Sequence, residues 1–162
     1  MVMKCNHLPA GIDLKNPLHL LAIGFGSGAA PYMPGTVGTL MAIPIYLLLQ
    51  LFSLPIYTLL MSAMILIGFW ICQVVDKAIG VYDHPSIVWD EIVGYVLTMW
   101  AVPANWQWII LGFLLFRLFD IWKPFPIQWL NDKVGGGVGI IIDDLMAAVY
   151  ATIILHLIIW IM

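Results

Sequence analysis

From Asn16 to Val75 the sequence contains no Asp, Glu, Lys or Arg. A stretch of that length holds two apolar helices of about 20 residues joined by a turn, each able to cross a bilayer core of about 30 Å. Two more uncharged runs follow, Ile92 to Phe116 and Leu145 to Met162. Hydrophobic residues make up 63% and charged residues 9% of the 162, where soluble domains carry about 25% charged residues. A chain this short has room for one domain, and most of its surface must face lipid. The expected fold is an all-α integral membrane protein with about four to five transmembrane helices, one domain over residues 1–162.

Turn signals divide the runs. Span 1 is expected from Thr36 to Ser53, with Thr36 as N-cap after Pro34 and Gly35, and span 2 from Pro55 to Val75, with Pro55 in the first turn. Span 3 runs from Asp90 to Val102 and ends at the Pro103-Ala104-Asn105 turn, flanked by Trp100, Trp106 and Trp108 as an interfacial belt. Span 4 runs from Trp106 to Trp122, because Pro124 disfavours helical geometry at Lys123. Span 5 runs from Ile140 to Met162 and places Asp143 and Asp144 in its first turn, where the helix dipole favours negative charge. The segment from Pro17 to Pro31 is apolar but short, which predicts an N-terminal interfacial or re-entrant helix. The N-terminus lacks the pattern of a cleavable signal peptide, so the first span is expected to be retained.

The charges then fall in three regions. Lys4, Asp13 and Lys15 precede span 1, Asp76 to Glu91 separates spans 2 and 3, and Arg117 to Asp144 separates spans 4 and 5. Five spans put every Lys and Arg on one side, which the positive-inside rule assigns to the cytoplasm. The C-terminus then lies outside. A net charge of −3 argues against nucleic acid as a partner. Cys5 and Cys72 are far apart and show no ligand spacing, and His7, His19, His84 and His156 show none either.

Asp90, Glu91, Asp120, Asp143 and Asp144 sit at span ends, with only Arg117 and Lys123 beside them. Converging carboxylates next to lipid repel one another unless a cation joins them, and an all-oxygen ligand set favours Mg²⁺, Mn²⁺ or Ca²⁺. Phosphate chemistry selects Mg²⁺, with Asp90, Glu91, Asp143 and Asp144 as expected ligands. Arg117, Asp120 and Lys123 step by three and share one broad helix face, which suits a phosphate. Thr36 and Thr39, at the start of span 1, offer hydroxyls and backbone N–H groups to the same anion. The expected chemistry is metal-assisted hydrolysis of a phosphomonoester, with the five acids as catalytic candidates. Lys4, Asp13, Lys15, Asp76, Lys77, Asp132 and Lys133 read as ordinary solvated charges.

Four ordered blocks carry a family resemblance: GFGSGAAPYMPGTVGT at 24–39, DHPSIVWDEIVG at 83–94, FRLFDIWKPFPI at 116–127 and GGVGIIIDDLMAA at 136–148. Together they resemble the phosphatidylglycerophosphatase A family. The resemblance implies a bacterial inner-membrane lipid phosphatase that uses Mg²⁺ at the cytoplasmic face to convert phosphatidylglycerophosphate to phosphatidylglycerol. The motifs of type 2 phosphatidic acid phosphatases, CDP-alcohol phosphotransferases and aspartyl-nucleophile dehalogenase-type phosphatases are absent from the sequence. An alternative of another class is a small cation channel or carrier lined by the same carboxylates. Against it, the acids stand at span ends, not mid-span.

Overall fold

The computed structural model describes residues 8–162, and Lys4, Cys5 and His7 fall outside them. Among the described residues the chain is all helix, with no strand. The helices are α1 (Pro17–Ala22), α2 (Pro34–Leu49), α3 (Leu54–Ile79), α4 (Trp89–Thr98), α5 (Trp106–Trp122), α6 (Ile127–Lys133) and α7 (Gly136–Ile161). Gly24–Ala29, between α1 and α2, forms tight 3-10 turns kinked at Phe25 and Gly26.

Among the described residues, only α3 and α7, each of 26 residues, are long and apolar enough to cross a membrane by themselves; at 1.5 Å per residue each measures about 39 Å. The apolar helix α2 has 16 residues, and α4 has 10. The five expected spans are therefore two long helices and three shorter ones.

The short α4 is the centre of the molecule. It packs against α2, α3, α5 and α7, and Ile92, Val93, Tyr95 and Val96 are wholly buried. Its N-terminus is tied to α1 by a hydrogen bond from the Val88 N–H to the Ala22 carbonyl (2.9 Å). At the other end, the Tyr57 hydroxyl donates to the Val96 carbonyl (2.7 Å) and Tyr46 donates to the Val102 carbonyl (2.9 Å). The Tyr95 hydroxyl, on α4 itself, reaches the Ile109 carbonyl of α5 (3.0 Å). A helix enclosed by protein satisfies its end groups from its neighbours, so it need not be long.

Several boundaries differ from expectation. The N-cap of α2 is Met33, in left-handed conformation, and Thr36 lies inside the first turn. Pro34 supplies a preset φ at the helix start, which moves the boundary two residues upstream. α3 continues to Ile79 and stops at Gly80 (φ 75°), so Asp76 and Lys77 are helical. α4 ends at Thr98, short of Val102. α5 ends at Trp122 as expected, with Lys123 left-handed (φ 45°) ahead of Pro124. α6 was not anticipated, since seven residues leave little periodicity to read.

The largest difference is α7, which starts at Gly136 and not Ile140. Asp143 and Asp144 therefore lie about two turns inside the helix, not in its first turn. Glycine is a poor helix former, but here it allows close approach. A Cβ on Gly137 would stand 2.2 Å from the Phe69 carbonyl oxygen of α3. The Gly137 N–H also donates to Gln73 Oε1 (2.9 Å), fastening the start of α7 to α3.

Candidate active site

Asp90 and Glu91 occupy the first turn of α4. The pair sits at the positive end of the helix dipole, which lowers the cost of placing charge there. Asp144, two turns into α7, points at them. One carboxylate oxygen from each of Asp90, Glu91 and Asp144 lies within 4.8 Å of the others. Asp90 is 6% exposed and Asp144 3%. Asp90 Oδ1, Glu91 Oε2 and Asp144 Oδ2 are buried without a hydrogen-bond partner. Three inward carboxylates with orphaned oxygens are the donor set of a hard divalent cation, so the residues fit an ion of that kind.

Asp143, the fourth expected ligand, faces another way. Successive helical residues are rotated by about 100°, and this rotation sends Asp143 to Lys123, with which it forms a close ion pair. Its other oxygen accepts the Asp144 N–H (3.0 Å). Burial works against the charge on Lys123, but Asp143 outweighs it and holds the ammonium firmly protonated. Lys123 Nζ also lies 3.5 Å from Asn131 Oδ1 of α6.

Arg117 and Asp120, one turn apart on α5, approach to 2.6 Å. They form an ion pair by distance without an aligned hydrogen bond, and Arg117 Nε is buried and unbonded. Asp120 stands near enough to Glu91 and Asp144 for their charges to interact. Arg117 therefore borders the carboxylate cluster with donor capacity to spare.

The first turn of α2 closes the site. A Cβ on Gly35 would fall 2.1 Å from Glu91 Oε1 and 3.3 Å from Arg117 Nη1. The Thr36 hydroxyl oxygen is buried without a partner. The Thr39 hydroxyl instead donates to the Gly35 carbonyl (2.9 Å), bracing that turn. Gly35 was not singled out as a candidate, although a glycine at the second position of a helix after proline was a readable signal.

Asp83, in the α3–α4 loop, donates its N–H to Asp76 Oδ1 (2.9 Å). Its carboxyl is pushed up to about 6 by partial burial first and the Asp143 carboxylate second, with Lys123 pulling the other way. His84 accepts the Ser86 N–H at Nδ1 (3.1 Å) and braces the loop. His156, far along α7, shares a hydrogen bond with the Thr152 carbonyl and lies by Trp100.

The fold and site define a helical protein with a buried carboxylate centre beside two cationic side chains, and comparison with known proteins supplies the family and with it the class, a phosphatase. Residues 20–159 match the family described as Phosphatidylglycerophosphatase A, and the chain belongs to it. It is 47% identical to phosphatidylglycerophosphatase A of Escherichia coli K12 over 148 residues, 91% of this chain and 86% of the relative. It is 47% identical over 145 residues to the Haemophilus influenzae protein of that name, covering 88% of this chain and 89% of the relative. A Bacteroides thetaiotaomicron protein provisionally named a phosphatidylinositol-3-phosphatase is 38% identical over 151 residues, 88% of this chain and 93% of its own. No solved structure matches the chain. Nothing in these findings supports a cation channel or carrier.

Proposed function

We propose that this phosphatase hydrolyses the terminal phosphomonoester of phosphatidylglycerophosphate to phosphatidylglycerol and phosphate, using Mg²⁺ at the cytoplasmic face of a bacterial inner membrane. The observation that carries the reading is the convergence of Asp90, Glu91 and Asp144, with unpartnered oxygens, beside Arg117. The substrate follows from the names of the relatives.

In this reading Asp90, Glu91 and Asp144 hold the ion, with Asp143 next to them. Bound there, Mg²⁺ supplies positive charge for the phosphoryl oxygens and favours ionisation of water. Arg117 and Lys123 receive the phosphate, with Asp120 orienting the guanidinium and Asp143 orienting the ammonium. Thr36 adds a hydroxyl, and Thr39 acts through the turn it braces. Water oxygen bonds to phosphorus as the phosphorus–glycerol oxygen bond breaks. A site carboxylate takes the water proton and passes it to the departing glycerol oxygen, which leaves as the hydroxyl.

The whole chain then works as one membrane-embedded unit, with α2, α3, α4, α5 and α7 as its five passes. Apolar side chains exposed on the outer helices support this, among them Leu40 and Leu48, Leu59 and Leu66, Ile110 and Leu114, and Ile153 and Leu157. The protein around α4 lets it remain short. The acyl chains stay in the inner leaflet while the headgroup reaches the helix ends.

Purified protein in detergent is expected to release phosphate from phosphatidylglycerophosphate with Mg²⁺ and to stop with EDTA. Phosphatidylinositol 3-phosphate, assayed in parallel, should be a poorer substrate. No release under any divalent ion sinks the proposal.

A further inference from the structure

We infer that Gly35 is a positioning residue whose bare Cα forms the wall that fixes the Glu91 carboxylate in the metal-binding cluster. The inference rests on the metal-site reading above.

Gly35 is the second residue of α2, and its backbone does not use a positive φ. Conformation therefore gives no reason for glycine, and alanine would favour the helix by up to about 1 kcal/mol. Space gives the reason. A Cβ at Gly35 would meet Glu91 Oε1 at 2.1 Å, well inside the shortest separation that real Cβ atoms show, and would crowd Arg117 Nη1 at 3.3 Å.

Of the three converging acids, Glu91 most needs such a wall. Asp90 and Asp144 are short and almost wholly buried, whereas Glu91 has an additional rotatable bond and is only half-buried. The wall is itself anchored. The Thr39 hydroxyl donates to the Gly35 carbonyl, and the Val37 N–H closes onto Met33 (3.2 Å). A side chain at position 35 would swing the Glu91 carboxylate away from Asp90 and Asp144 and leave a two-carboxylate site.

Direct binding of Mn²⁺ alone, followed by its electron paramagnetic resonance signal, tests this without substrate. Four proteins are compared: wild type, Gly35→Ala, Glu91→Asp and the double variant. Gly35→Ala is expected to weaken Mn²⁺ binding about tenfold or more, the scale of losses when a ligand's supporting contact is removed. Glu91→Asp shortens the carboxylate by one methylene and makes room for the new Cβ. The double variant should therefore bind no more weakly than Glu91→Asp alone. Wild-type affinity in Gly35→Ala, or losses that multiply in the double variant, would overturn the inference. If Gly35→Ala does not fold, the double variant should recover folding, and its failure to do so also overturns the inference. Wild-type protein that binds no Mn²⁺ would remove the metal-site reading and this inference with it, whereas unchanged binding in Gly35→Ala removes the inference alone.

Discussion

At the residue scale, neighbouring acids take separate tasks because a helix turns them apart. Asp144 joins Asp90 and Glu91, while Asp143 neutralises Lys123. Changing Asp90 or Asp144 to Asn, or Glu91 to Gln, keeps shape but removes charge from a cluster short of cations. Each variant is expected to lose phosphate release about 100-fold or more while inserting normally, as measured by turnover and by elution in detergent. Near wild-type turnover in all three would move the site elsewhere. Asp83 gives a pH prediction. Its folded value of about 6 exceeds the ordinary carboxylate value of about 3.9. The folded protein therefore holds the proton more tightly, and stability falls as pH rises from about 4 to 6. Asp83 is open to solvent on one side, so screening trims the effect. Melting midpoints in detergent should drop less across that interval in Asp83→Asn than in wild type; equal drops would refute the assignment.

At the element scale, α4 shows how a ten-residue helix presents a charged first turn inside an apolar bundle. Tyr57 and Tyr46 hold its far end by bonding carbonyls that no helical N–H reaches. Tyr57→Phe leaves the Val96 carbonyl without that donor and should cost about 1–2 kcal/mol. The measurement is a lowered melting temperature with turnover largely retained below it, and an unchanged melting temperature would show that the clamp is idle. The helix over Trp106–Trp122 was legible because Trp, Asn and Pro punctuate both ends. The starts of α2 and α7 were not, because proline geometry and a close helix crossing at Gly137 decided them. Neither effect leaves a periodic trace.

At the scale of the whole molecule, Lys15, Lys77, Arg117, Lys123 and Lys133 all fall in the charged segments outside the apolar runs, and Arg117 and Lys123 pair with Asp120 and Asp143 beside the site. The five-pass reading predicts that a reporter fused after Met162 faces outward and one inserted near Lys133 faces the cytoplasm. Reporter activity on the same side for both would refute it. The hydropathy and charge pattern along the chain determined helical class and set the acids in the same segments as Arg117 and Lys123, and the four ordered motif blocks carried the family resemblance. These follow from hydropathy and local motif, which act over a few residues. Only the tertiary structure decided that Asp144 rather than Asp143 completes the cluster, that Thr39 braces a turn, and that Gly35 stands against Glu91. Those outcomes depend on the rotation and closest approach of helices far apart in sequence, and packing sets both.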